Sequence, residues 1–148
     1  MQQYIGTKII KAKPMTRQAY NDLRGWALPA DENGADDGYL VEYTDGGKAN
    51  HDDFDGYISW SPKEQFDNAY QATDGLTFGL AADATKKGAK VQRAGWNGKG
   101  MHAEYVGAGT FNGAPMNPYW VIKNPDGSYS TWAPSGSDSL ATDYMIVA

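Results

Sequence analysis

The chain contains no cysteine. Disulfides, thiolate nucleophiles and zinc sites built on cysteine are excluded, and the composition suits a reducing cytoplasm. Histidine is nearly as scarce: His51 and His102 lie far apart, and no HExxH or similar ligand spacing surrounds either. Long apolar runs are also missing. The opening MQQYIGTKIIKAKP reads as neither a signal peptide nor a membrane span, and no later stretch approaches the ~18 apolar residues a spanning helix needs. There is no basic excess. The net charge is −5, so binding to a nucleic-acid polymer is not expected.

Recognisable catalytic signatures are absent too. Asn50–Gly56 is acidic but lacks the alternating ligands and closing Glu of a calcium loop, and Asp31–Gly38 fails the same test. No metal or cofactor is expected. Gly95-Trp96-Asn97-Gly98-Lys99-Gly100 superficially resembles a phosphate loop but lacks the GKS or GKT ending. Two readings stay open for it: a simple glycine-rich turn, or a loop offering backbone N–H groups and Lys99 to a phosphate. Ser59 sits in no nucleophile elbow, and no Ser/His/Asp set is visible. No catalytic residue is assigned, and an enzyme is the weaker expectation.

What the chain has in quantity is aromatic residues and acid. Five Trp and ten Tyr in 148 residues exceed what a core of this size needs. Some are expected in a groove or an interface, where an amphipathic ring is useful. The acid is unevenly spread. Residues 1–73 carry 7 Lys/Arg against 12 Asp/Glu, whereas residues 74–148 carry 6 of each. An anion would meet less repulsion in the second half; the plainer account is that the acids keep the protein soluble.

The pattern of turns and caps predicts two segments, 1–73 and 74–148, with the boundary in the polar Gln71–Gly75 stretch. In the first, Tyr4–Lys11 reads as a strand, Thr16 as the cap of a helix over Arg17–Arg24, and Tyr39–Tyr43 as a strand. Ser61-Pro62-Lys63-Glu64 reads as a capping box opening a helix to about Tyr70. In the second, Thr77 caps a helix with an apolar face of Phe78, Ala81, Ala82 and Thr85, closed by Lys86-Lys87-Gly88. Strands are predicted at Lys90–Arg93, Met101–Val106, Tyr119–Lys123, Tyr129–Trp132 and Tyr144–Val147. Asn124-Pro125-Asp126-Gly127 makes a hairpin turn, and Ser135–Asp143 a turn with a short helix. Gly107–Pro118 is too long for a simple hairpin and is expected to be mobile, or ordered by a partner. The fold class is α+β, a small, mostly antiparallel sheet with short helices.

The second segment also carries a resemblance. Phe78-Gly79 opens a helix ending in Lys87-Gly88. Val91 and Arg93 follow on a strand, then Gly95-Trp96-Asn97-Gly98-Lys99-Gly100-Met101. Further on come Asp126-Gly127, Trp132 and Ser135-Gly136-Ser137-Asp138-Ser139-Leu140-Ala141-Thr142-Asp143-Tyr144. This order is similar to the second Thoeris anti-defence family of phage proteins, over about residues 76–148. The first segment resembles a module of small phage proteins, through Gly38-Tyr39-Leu40-Val41-Glu42-Tyr43 and Gly56-Tyr57-Ile58-Ser59-Trp60-Ser61-Pro62. It would be an accessory that caps or extends the other segment, or serves assembly.

The resemblance implies a small homo-oligomer, commonly a tetramer, acting in the cytoplasm of an infected bacterium. It implies a sponge that binds a cyclic ADP-ribose isomer without cleaving it. Some members also hold a cyclic dinucleotide at a separate site, which would extend the target from Thoeris to CBASS immunity. The alternative is a structural or protein-interaction phage protein with no small-molecule ligand. Thr85, Gly136 and Tyr144 depart from the family pattern, where a larger apolar residue, a Gln and a Trp are usual. The Gly136 difference bears on ligand choice; the other two bear on packing.

A cyclic nucleotide needs ring faces, phosphate donors and partners for hydroxyls. Trp96, Trp132 and Phe78 are the stacking candidates, each alternatively a core residue. Arg93 offers a planar fork for phosphate, or is a surface strand residue. Asn97 suits a base edge or ribose, or is the Asn of a turn. Ser135, Ser137 and Asp138 stand at a helix start, where they could meet the ligand or serve as caps.

Overall fold

The computed structural model describes residues 1–148, which divide into two compact units, Met1–Tyr70 and Gln71–Ala148. No helix is long and apolar enough to cross a membrane. Both units are α+β with antiparallel sheets and short helices, as the turn and cap pattern predicts.

The first unit runs β1 (Ile10–Pro14), α1 (Arg17–Arg24), β2 (Gly38–Tyr43), β3 (Ile58–Pro62) and α2 (Lys63–Ala69), with sheet order β1-β2-β3. Thr16 caps α1, accepting from the Ala19 N–H, and Gly25 closes it at φ 69°. The core gathers Tyr20, Leu40 and Ile58.

Two expectations are corrected here. The first strand lies at Ile10–Pro14, not Tyr4–Lys11, because β2 offers it partners only from Tyr43 to Tyr39. Pro14 can end this strand because β1 is an edge. Ser61 does not cap α2. Its backbone is committed to β3, paired with Tyr39, so the helix starts after Pro62 without a side-chain cap. Phe66 of α2 stacks on Tyr39 with ring centroids 3.9 Å apart.

The second unit runs α3 (Phe78–Lys86), β4 (Lys90–Arg93), β5 (His102–Val106), β6 (Gly109–Phe111), β7 (Ala114–Met116), β8 (Tyr119–Lys123), β9 (Tyr129–Trp132), α4 (Gly136–Leu140) and β10 (Tyr144–Val147). Its main sheet has the order β10-β4-β5-β8-β9, antiparallel throughout. Thr77 caps α3, and Ala81, Ala84 and Thr85 are its buried face. That face packs with Leu76, Val91, Ala103 and Tyr144 to form the core. The small alanines let the helix backbone lie close to the sheet.

Gly107–Pro118 is ordered within the chain itself rather than irregular. It holds the β6–β7 hairpin, turned at Asn112 and Gly113, which take φ 51° and 78°. Two successive left-handed residues suit a tight two-residue hairpin turn, and Asn-Gly is the pair that adopts it most readily.

A candidate ligand site built from aromatic rings and a braced arginine

Strand register decides which side chains of the second unit meet. Tyr144 pairs with Arg93 across β10 and β4, and Trp120 pairs with Trp132 across β8 and β9. Directly opposite residues share a face of the sheet. Phe78, in the first turn of α3, enters among them. Its ring lies 6.0 Å from Trp120, 6.4 Å from Trp132 and 5.9 Å from Tyr144. Trp96, from the loop after β4, lies 5.8 Å from Trp132 and 6.4 Å from Tyr144, both nearly perpendicular. Trp120 and Trp132 are 5.9 Å apart. The five rings form a cluster whose pairs are edge-to-face except the tilted Phe78–Tyr144 pair, each edge-to-face pair adding about 0.5–1.5 kcal/mol beyond burial.

Tyr144 is fully buried, whereas Phe78, Trp96, Trp120 and Trp132 are half-buried. The three predicted stacking residues are therefore brought together, and each is both core wall and partly open surface. Sequence reasoning missed Trp120. Counting outward from the Asn124–Gly127 turn, whose Gly127 N–H bonds the Asn124 carbonyl at 2.9 Å, would have set it opposite Trp132.

Thr85 explains why Trp120 holds its place. The indole Nε1–H donates to Thr85 Oγ1 at 3.0 Å, and the Thr85 hydroxyl donates to the Ala82 carbonyl at 2.7 Å. Thr85 thus supplies a buried acceptor to the indole.

Arg93 is braced on both sides. Its Nε donates to Asp143 Oδ1 and its Nη1 to Asp138 Oδ1, each at 2.9 Å. The free surface fork expected from the sequence is largely engaged by carboxylates, leaving Nη2 as the part that neither carboxylate bonds. Asp143 also accepts from the Gly95 N–H at 3.1 Å, tying down the start of the glycine-rich loop. Ser135 and Asp138 form a capping box: Asp138 N–H donates to Ser135 Oγ at 3.0 Å, and Ser135 N–H donates to Asp138 Oδ2 at 3.2 Å. The Tyr144 hydroxyl donates to the Asp138 carbonyl at 2.8 Å. One aspartate thus joins the cap of α4, the arginine of β4 and the tyrosine of β10.

The electrostatics follow this geometry. Burial works against the Asp138 charge, but hydrogen bonds from Arg93, Ser135 and Trp96 outweigh it and hold its carboxyl below the usual range. Arg93, helped by the Gly95 N–H, holds Asp143 low against a smaller burial penalty. The same two carboxylates raise Arg93 further above its ordinary value. Burial, with the nearby Asp138 charge, pushes the Tyr144 phenol up to about 12.

Asn97, Ser137 and Lys99 are exposed. Of the eight residues singled out from sequence, three make the ring wall, Arg93, Ser135 and Asp138 make a bonded scaffold, and Asn97 and Ser137 stand open. Asp143, Trp120 and Tyr144 belong to the same constellation.

An antiparallel sheet crossed by one helix, with an aromatic cluster and a carboxylate-braced arginine at one end, defines this unit. A domain model described as Thoeris anti-defense 2-like matches residues 76–147. Thoeris anti-defense 2 of Bacillus phage SP01 is 31% identical over 90 residues, an alignment covering 49% of this chain and 96% of the phage protein. The chain belongs to the Thoeris anti-defense 2-like family.

Proposed function

We propose that the protein is a phage anti-defence sponge. It binds a cyclic nucleotide immune signal, a cyclic ADP-ribose isomer or a cyclic dinucleotide, at the aromatic end of its second unit. It withholds the signal from its effector without cleaving it, in the cytoplasm of the infected host. The observation that carries the reading is the convergence of Phe78, Trp96 and Trp132 beside Arg93 in a chain of this family. Half-buried rings can each take a base, worth about 1–3 kcal/mol per stack. Nη2 of Arg93 remains for a phosphate oxygen, while its other nitrogens are fixed by Asp138 and Asp143. Asn97 and Ser137 supply polar groups for a base edge or ribose.

A homotetramer belongs to the same reading. The β6–β7 hairpin is wholly exposed, including Phe111 and Met116, and Gly107–Pro118 carries no charge. A two-stranded hairpin alone is marginal in water, and an uncharged one suits burial against another subunit. That exposure also favours a second reading, a protein-interaction role without a small ligand.

Isothermal titration with a cyclic ADP-ribose isomer and a panel of cyclic dinucleotides separates the two. Heat release with at least one ligand, and chemically intact ligand recovered after heating the complex, is the expected result. Silence with every ligand would favour the protein-interaction role, and an altered product would make the protein an enzyme.

A further inference from the structure

The first unit contains a groove of about 570 Å³, within the roughly 300–1,000 Å³ typical of small-molecule sites. One wall is a single face of α1: Arg17, Tyr20, Asn21 and Arg24, spaced one helical turn apart. The lining also includes Trp60 of β3, and Trp26 and Tyr57 in the flanking loops.

Both arginines are held against tryptophan rings. The Arg17 guanidinium lies over the Trp60 ring at 4.4 Å, and Trp60 is pinned by its Nε1–H donating to the Met15 carbonyl at 2.8 Å. Arg17 is ion-paired, its Nη1 3.4 Å from Glu32 and its Nε 3.5 Å from Asp36, but the buried Nε has no hydrogen-bond partner. The Arg24 guanidinium lies over the Trp26 ring at 4.5 Å. Its hydrogen bond goes to the Asn50 carbonyl at 3.1 Å, and it has no carboxylate partner. Arg24, held over a ring with one donor spent on a carbonyl and no carboxylate against it, is the group freest to meet an anion, and Arg17 stands beside Glu32 and Asp36 as the second cation of the groove.

The same groove exposes aromatic surface. Trp26 is 53% and Tyr57 47% exposed, far more than solubility favours for such rings. Glu32 on the wall would repel a bare anion but accepts from a hydroxyl. Ring surface, two arginines on one helix face and one acceptor together select a composite ligand.

We propose that this groove binds a small phosphorylated molecule with a flat ring and hydroxyls, of the nucleoside monophosphate kind. Arg17 and Arg24 take the phosphate, Trp26 and Tyr57 take the ring, and Glu32 takes a hydroxyl. The site is separate from the one proposed in the second unit and does not depend on it.

The five indole N–H resonances of the full-length protein give a located readout. Trp26 and Trp60 report the first unit; Trp96, Trp120 and Trp132 report the second. Titration with adenosine monophosphate should move the Trp26 and Trp60 signals, with adenosine and inorganic phosphate each binding about tenfold more weakly or worse. Arg24→Gln should weaken the monophosphate by about tenfold, and Arg17→Lys, which keeps charge but loses the fork, should weaken it as well. Static Trp26 and Trp60 signals at millimolar ligand would overturn the proposal. So would movement confined to the second unit's indoles, or unchanged affinity in both variants.

Discussion

Arg93 shows how a single residue can read one way in sequence and another in the fold. On a strand beside a glycine-rich loop it looks like a phosphate donor, yet it bonds carboxylates 45 and 50 residues along the chain. Nothing local announces partners at that distance. The caps, by contrast, were legible, because Thr16, Thr77 and Ser135 bond backbone three residues on. The brace has a pH signature. Asp138 and Asp143 are held low in the folded protein, so their contribution is full above the ordinary carboxylate range and fades as pH falls through the depressed values. Arg93→Gln should therefore lower the melting temperature at neutral pH and flatten its decline below about pH 4, where unfolded aspartates protonate. Parallel melting curves against pH for the two proteins would refute the brace. Thr85→Val tests the buried acceptor. It strands the Trp120 N–H and should cost about 1–3 kcal/mol by urea titration. Gly136→Gln should be tolerated within about 0.5 kcal/mol, since Gly136 is exposed and a Cβ there meets nothing within 4 Å. Any change in ligand preference it brings then reports on the site, not the fold.

Most elements of the second unit announce themselves because each is bounded by its own turn chemistry. Gly88 at φ 94° and Gly127 at φ 88° mark turns that only local conformation dictates. Where pairing rather than local preference chooses the ends, sequence reading slips. Tyr4–Lys11 looks strand-like, but β2 pairs with Ile10–Pro14. Ser61 looks like a cap until the ladder claims it. The β6–β7 hairpin was hidden differently. Asn112-Gly113 went unread as a hairpin turn, because the flanking residues Gly109–Phe111 and Ala114–Met116 show no alternation of apolar and polar, no face of the hairpin being buried in this chain. Replacing Gly109–Met116 with a short glycine turn should therefore leave the monomer's unfolding free energy within about 0.5 kcal/mol. Light scattering on the same variant reads assembly. If the hairpin is the subunit contact of the proposed tetramer, the variant runs as a smaller species at unchanged fold. An unchanged assembly, or an unassembled parent, removes the hairpin from that role.

At the scale of the whole molecule, the two units differ in charge as well as in sheet. The excess acid lies in the first, where Arg17 and Arg24 interrupt it, and the second is nearly balanced. Each unit has its own buried cluster: Tyr20, Leu40 and Ile58 in one, and Leu76, Ala81, Ala84, Val91, Ala103 and Tyr144 in the other. A unit with its own core can fold by itself if that core suffices. The comparison with the Bacillus phage SP01 protein argues that it does, since 49% of this chain covers 96% of that protein. At about 78 residues the second unit is near the lower limit for a single core without staples, and the ring cluster supplies the extra packing. Residues 71–148 expressed alone should give a sheet-rich circular dichroism spectrum and one cooperative melting transition. Trp96→Ala in that fragment should lower the transition by several degrees, because Trp96 meets both Trp132 and Tyr144. A fragment without a cooperative transition would mean that the core around Tyr144 needs the first unit.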